Sequence, residues 1–269
     1  MSDQEKREYL EFAKSLALEA GKIMRTYFLV TDTTWKADQT PVTQADTEIN
    51  SLVIDRVQKA YPSHSVYGEE ESSLRESKFL WVCDPVDGTL PYSLGLPIST
   101  FSLALVIDGV SNVGVVYDPF MDRLFYATLG HGAYMNGNKI SVNDKTTLEN
   151  ATFEFAGFGE PKSASFETGI TSEIMDVFTR HGVRDIRLWS TVLPSVLVAS
   201  GQMTATMLNF KSIQDGAAAK VIVEEAGGKF TDIHGNEQRY DEISRGFIAS
   251  NGIVHDEILR IMREVSDEV

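Results

Sequence analysis

Residues 81–89 read "WVCDPVDGT" and place two carboxylates, Asp84 and Asp87, three positions apart where the apolar run "FLWVC" stops. Burying a carboxylate is costly unless it is paired, and few Lys or Arg stand nearby to pair these. Hard divalent cations accept such oxygen clusters, and Mg2+ commonly bridges carboxylates and a substrate phosphate. A covalent-aspartate phosphatase would place its second Asp two residues after the first. Here the gap is three, with Thr89 two further on. The register suits a bend that turns both carboxylates to one site, with the Val86 carbonyl as a third oxygen. Gly88 and Thr89 then offer backbone N–H groups at a helix start, a seat for phosphate.

Acids collect at three other element ends: Asp46 opening a helix, the "YGEEES" run at 67–72, and Asp215 in "SIQDGAAAKVIVEEAGG". Each has a plainer reading on its own. An Asp at a helix start usually caps it or meets its dipole, and an acidic run is usually a solvated turn.

The charge balance bears on the partner. The chain of 269 residues has a formal net charge of -15, which argues against a broad nucleic-acid surface. A phosphorylated substrate would need that sign reversed locally, as bound divalent cations do. No apolar run approaches the roughly 20 residues of a membrane span, and "MSDQEKREYLEF" lacks a signal core, so a cytoplasmic protein is expected. The single cysteine, Cys83, excludes an intrachain disulfide and reads as a small buried apolar group. The five histidines show no metal-ligand spacing.

The elements that must position these acids follow from periodicity. Residues 2–28 form an amphipathic helix with capping-box spacing at Ser2 and Glu5. A polar loop precedes a second helix over about 45–60. From 78 to about 142, "FLWVC", "FSLALVI", "NVGVVY", "RLFYATL" and "AYMNGNKISV" alternate with turn signals and predict a meander-like sheet. After "NDKTTLEN" the pattern becomes α/β: strand "ATFEFAG", a helix near 166–181, strand "DIRLW", a helix near 191–200, strand "TATML", a helix over 215–226, strand "GKFTDI", and a terminal helix from about His255.

Taken together, "WVCDPVDGT", "YGEEES" and "IQDGAAAKVIVEEAGG" resemble the inositol monophosphatase family of Mg2+-dependent, lithium-sensitive phosphatases. The resemblance continues through "KADQTPVTQAD", "GVVYDPFMDRLFYATLGHGAYMNG" and "ASNG", in the family's order. It implies a layered α/β/α/β/α sandwich, one domain over 1–269 with halves of roughly 1–145 and 150–269, and a homodimer. It implies two to three Mg2+ per site, held by Glu69, Asp84, the Val86 carbonyl, Asp87 and Asp215. Thr89 would pair with Glu69 to activate water, assisted by Asp46. Asp87, Gly88 and Thr89 would meet the substrate, and Lys36 would lie on a mobile loop.

The chain departs from the family at the sugar-reading wall. Leu208, or Asn209 if the register slips by one, stands where inositol-specific members place a hydroxyl-binding Glu. Gln214 replaces a Trp, Ser190-Thr191 replaces a Gly-Ser pair, and Leu90-Pro91-Tyr92 replaces Thr-Asn-Phe. Hydrolysis of a small polyol phosphate by metal-activated water is expected, with inositol 1-phosphate first. Histidinol phosphate, fructose 1,6-bisphosphate and 3'-phosphonucleotides are the alternatives. A non-enzymatic scaffold is the alternative of another class; clustered carboxylates that repel one another without cations argue against it.

Overall fold

The computed structural model describes residues 2–30, 33–37, 40–156, 168–209 and 212–267. The chain opens with α1 (Asp3–Tyr27), a short hairpin of β1 (Thr34–Trp35) and β2 (Pro41–Val42), and α2 (Gln44–Ala60). There follow β3 (Ser65–Gly68), β4 (Phe79–Asp87), the one-turn α3 (Thr89–Ser93), and β5 (Thr100–Ile107) through β6 (Val110–Asp118), β7 (Arg123–Thr128), β8 (Ala133–Met135) and β9 (Asn138–Lys139). The second half comprises β10 (Thr152–Ala156), α4 (Thr168–Arg180), β11 (Arg184–Asp185), α5 (Val192–Ala199), β12 (Ala205–Leu208), α6 (Ile213–Glu225), β13 (Lys229–Thr231), β14 (Phe247–Ser250) and α7 (His255–Asp267).

The seven-stranded sheet runs in sequence order from β3 to β9; β4 to β9 form the expected antiparallel meander, and β3 adds to β4 in parallel. The five-stranded sheet has the order β11-β10-β12-β14-β13. Period-2 alternation assigns the faces of the large sheet. Phe101, Leu103 and Leu105 pack with α1 and α2, whereas Ala104 and Val106 pack toward α5 and α6. On the small sheet, Phe153, Phe155 and Met207 meet α4 and α7, while Ala156, Leu208 and Ala249 meet α5 and α6. The result is the α/β/α/β/α layering. Its middle layer is buried on both sides, which explains why α6 is apolar nearly all round and carries Ala217, Ala218 and Ala219. Gly114 on β6 permits α6 to approach closely, since a Cβ there would lie 2.6 Å from the Ala218 carbonyl oxygen.

Several elements differ from expectation. β4 extends through Asp87, so Asp84 lies within a strand rather than at its mouth. In "DIRLW" only Asp185 is in a strand, paired at the sheet edge, because the chain turns away before the left-handed Trp189. β3, β14 and the β1–β2 hairpin were not anticipated; each has four residues or fewer, too short for a clear period. Residues 166–167 of the expected helix and Gly157 of "ATFEFAG" lie outside the described residues.

Candidate active site

Two residues three apart on a regular strand point to opposite faces. Asp84 and Asp87 escape that rule because β4 carries a bulge. Asp84 pairs with Ser102 and Asp87 with Thr100, so three steps on β4 oppose two on β5. The extra residue restores a common face, and bulges re-aim side chains in this way. Asp215 comes from the first turn of α6 across the layer interface. One carboxylate oxygen each from Asp84, Asp87 and Asp215 lies within 4.8 Å of the others, and all three residues are buried.

Asp87 is held most firmly. It accepts from the Thr191 N–H at 2.7 Å, Thr191 Oγ1 at 2.9 Å, Thr100 Oγ1 at 3.0 Å and the Leu193 N–H at 3.3 Å, and also from Ser190 Oγ. Thr191 Oγ1 lies within hydrogen-bond reach of Asp215 as well, so one hydroxyl spans two acids from different elements. Asp84 is the opposite case: its Oδ1 is buried with no hydrogen-bond partner. Burial pushes the Asp84 carboxyl well up, and repulsion from Glu69, Asp87, Asp215 and Asp46 adds to it. Burial likewise raises Asp215 to about 6, with Asp87 adding and the Ser212 and Thr191 hydroxyls opposing.

Asp46 is the third residue of α2. It accepts from the Thr43 N–H at 2.8 Å, a capping-box contact, while its other oxygen faces Thr89 Oγ1 at 3.1 Å. Its carboxyl is pushed up to about 6 by burial, against the hydrogen bonds from Thr43 and Thr89. The Thr89 hydroxyl also lies 3.0 Å from the Val86 carbonyl. Thr89 thus meets Asp46 and the Val86 carbonyl directly. Glu69 instead faces Lys36 at 3.5 Å, and Lys36 binds Glu70 at 2.6 Å. Burial raises Glu69 to about 7, and Lys36 opposes the rise. Gly88 caps α3 at φ 79°, a conformation that glycine adopts without strain.

The structure thus gathers Asp46, Glu69, Asp84, Val86, Asp87, Thr89 and Asp215 in one place, with Lys36 at its edge. It does not bring Leu208 there. The Leu208 side chain is fully buried in the apolar layer with α5 and α6, because its position on β12 points to that face. Asn209 follows at the strand end, fully buried, with neither side-chain polar atom hydrogen-bonded.

Sequence reasoning missed the roles of five contributors. Ser190, Thr191 and Thr100 clamp Asp87. Glu154, on β10, is buried and accepts from the Leu188 N–H at 2.8 Å, fastening the turn that carries Ser190 and Thr191. Burial raises its carboxyl to about 8. The acid inside the apolar strand "TFEF" was the available signal. Asn50 braces the acidic run, accepting from the Glu70 N–H and donating to the Glu71 carbonyl.

The donors are all hard oxygens, and Asp84 Oδ1 is a buried acceptor that lacks a partner within the protein. A divalent cation of the Mg2+ kind fits both facts. The description of the inositol monophosphatase family matches residues 5–267. The chain belongs to the inositol monophosphatase family. That family comprises metal-dependent phosphoric monoester hydrolases, and this member is a phosphatase of that class. It is 32% identical over 263 residues to a fructose-1,6-bisphosphatase/inositol-1-monophosphatase of Thermotoga maritima, covering 97% of this chain and 98% of the relative. It is also 32% identical to a histidinol-phosphatase of Mycobacterium tuberculosis, covering 93% and 96%. Among solved structures, a Thermotoga maritima IMPase superposes with a TM-score of 0.85 at 30% identity, covering 97% of this chain and 99% of that one. The extragenic suppressor protein suhB of Bartonella henselae gives 0.87 at 26%, covering 96% and 99%. Family membership and the layered fold therefore agree. The relatives' names span three phosphate esters. No helix among the described residues is long and apolar enough to cross a membrane.

Proposed function

We propose that this family member hydrolyses small phosphate monoesters with Mg2+, using Glu69, Asp84, the Val86 carbonyl, Asp87 and Asp215 to hold the metal. The observation that carries the reading is the bulge-turned triad with its unpartnered Asp84 Oδ1. Bound Mg2+ would supply charge neutralisation of the phosphoryl oxygens and a lowered pKa for water. The chain's own residues do the rest. Thr191 and Ser190 fix the Asp87 oxygens, and Thr191 ties Asp215 to them. Asp46 orients the Thr89 hydroxyl and is placed to take a proton through it, with a carboxyl raised toward the working range of a general base. Lys36 offsets Glu69 and Glu70 at the entrance. Gly88 and Thr89 present backbone amides where a phosphate would sit.

Inositol 1-phosphate remains the first substrate to assay. With Leu208 withdrawn into the core, no carboxylate reads hydroxyls from that position, which supports activity on several esters. Asn209 is the polar group left at the end of β12. Two to three Mg2+ per site, lithium sensitivity and a homodimer rest on the family resemblance, and cytoplasmic residence fits the single cysteine. A single domain is supported by α5 and α6, which pack against both sheets. The test is a panel of phosphate esters assayed with Mg2+ and with EDTA. Turnover that needs Mg2+ supports the reading, and undiminished turnover in verified metal-free protein sinks it. Absence of turnover on every ester would favour the scaffold alternative.

A further inference from the structure

The turn that organises the acids also carries an exposed tryptophan. Trp189 has φ 56°, in the left-handed region where a bulky side chain is strained. It nevertheless leaves 64% of its surface in solvent. Strained residues persist only where the surroundings over-determine them. Here the preceding Leu188 N–H is tied to buried Glu154. The following Ser190 and Thr191 are tied to Asp87. On the third side the turn abuts Gly88, where a Cβ would lie 3.3 Å from both the Trp189 carbonyl oxygen and Ser190 Cβ. Folding gains little from an indole that stays in water, and a glycine would relieve the strain. The side chain that the turn holds out stands one residue from the Asp87 clamp.

The geometry points to Trp189 as a specificity-determining residue: its indole is a platform for the leaving alcohol and favours phosphate esters whose alcohol carries a planar heteroaromatic ring. This rests on the phosphatase reading above. Selecting a polyol takes hydrogen-bonding groups aimed at its hydroxyls. Leu208 lies in the core and Asn209 is fully buried, so neither position supplies one at the surface. An indole face offers stacking to a flat ring and attraction to a cationic one.

The test compares wild type, Trp189→Ala and Trp189→Phe, with Mg2+, on histidinol phosphate as the imidazole-bearing probe and glycerol 2-phosphate as the ring-free one. In Trp189→Ala the ratio of kcat/KM values, imidazole ester over glycerol ester, should fall about tenfold, mainly through KM. Trp189→Phe should restore most of it. A readout independent of turnover is indole fluorescence in a Trp35→Phe background, since the third tryptophan, Trp81, is fully buried. Histidinol itself, without metal, should quench the Trp189 emission. A ratio that moves less than twofold in Trp189→Ala, a Phe variant as impaired as Ala, or unchanged emission overturns the platform while leaving the phosphatase reading in place. A wild type that hydrolyses neither ester but does hydrolyse inositol 1-phosphate overturns the platform alone, and one that hydrolyses none of the three overturns both.

Discussion

Replacing Asp84 by Asn should make the metal-free protein more stable and the enzyme inactive. Asp84, Asp87 and Asp215 place oxygens within 4.8 Å of one another in a buried site. Two unit charges at that separation repel by about 3 kcal/mol at an effective dielectric near 20. Protonating one carboxyl already relieves part of the repulsion, so the net gain from Asp84→Asn at pH 8 should be about one pair's worth, ~3 kcal/mol. For a chain of this size that is a rise in Tm of roughly 6–12 °C. The pH sign follows from the raised carboxyls. A group with a folded-state pKa above its unfolded value adds stability at low pH and loses it as pH rises through the folded value. Asp215 and Asp46 are raised to about 6, and Asp84 is raised well above the usual carboxylate range. The variant's advantage should therefore shrink toward pH 4, where the wild-type acids are neutral, and grow above pH 6. Mg2+ should invert the order. At a thousandfold excess over Kd it stabilises the wild type by about 4.1 kcal/mol, more than the variant's ~3 kcal/mol advantage, and the variant by much less. The assay is thermal unfolding in EDTA and in Mg2+ from pH 4 to 8, with kcat measured alongside; kcat should fall by more than ~10⁴, beyond a single acid–base contribution. An Asn variant less stable than wild type in EDTA at pH 8, or stabilised equally by Mg2+, would refute the reasoning.

Three further outcomes are expected. Thr191→Val removes the hydroxyl between Asp87 and Asp215 but keeps the side chain's shape, so apparent Mg2+ affinity should weaken by about 10–100-fold, measured as the Mg2+ dependence of turnover. Leu208→Glu, which would tune specificity if the side chain lined the pocket, should instead destabilise by several kcal/mol, seen in urea unfolding, because it buries a carboxylate in an apolar layer. Glu154 is raised to about 8, so wild-type stability should decline as pH rises from about 5 toward 8, and Glu154→Gln should flatten that decline in a pH series of melts.

The acid motifs were legible because their residue types are costly to bury: Asp84, Asp87 and Asp215 each interrupt or border apolar stretches that would otherwise form simple core. Helices α1 and α2 and the meander were legible because their periods run over many residues. Ser2 and Glu5 form the capping box that their spacing predicts. The family resemblance supplied the layer order, which periodicity alone does not encode.

Other features arise only between segments distant in the chain. Spacing alone puts Asp84 and Asp87 on opposite faces of a strand; the bulge that unites them is a property of how β4 registers with β5. Thr191 reaches Asp87 across 104 positions, so no local pattern could assign it to the clamp. Leu208 sits where alignment expects a substrate wall, yet strand alternation turns it into the α5–α6 layer. Trp189 reads in sequence as one more apolar residue of "DIRLW", and only the packing of Glu154, Gly88 and the Ser190-Thr191 clamp forces it outward. Sequence by itself determined which groups can bind metal, since that follows from side-chain chemistry. Tertiary structure decided which of them meet and which face solvent, because both depend on strand register and layer packing between residues far apart in the chain.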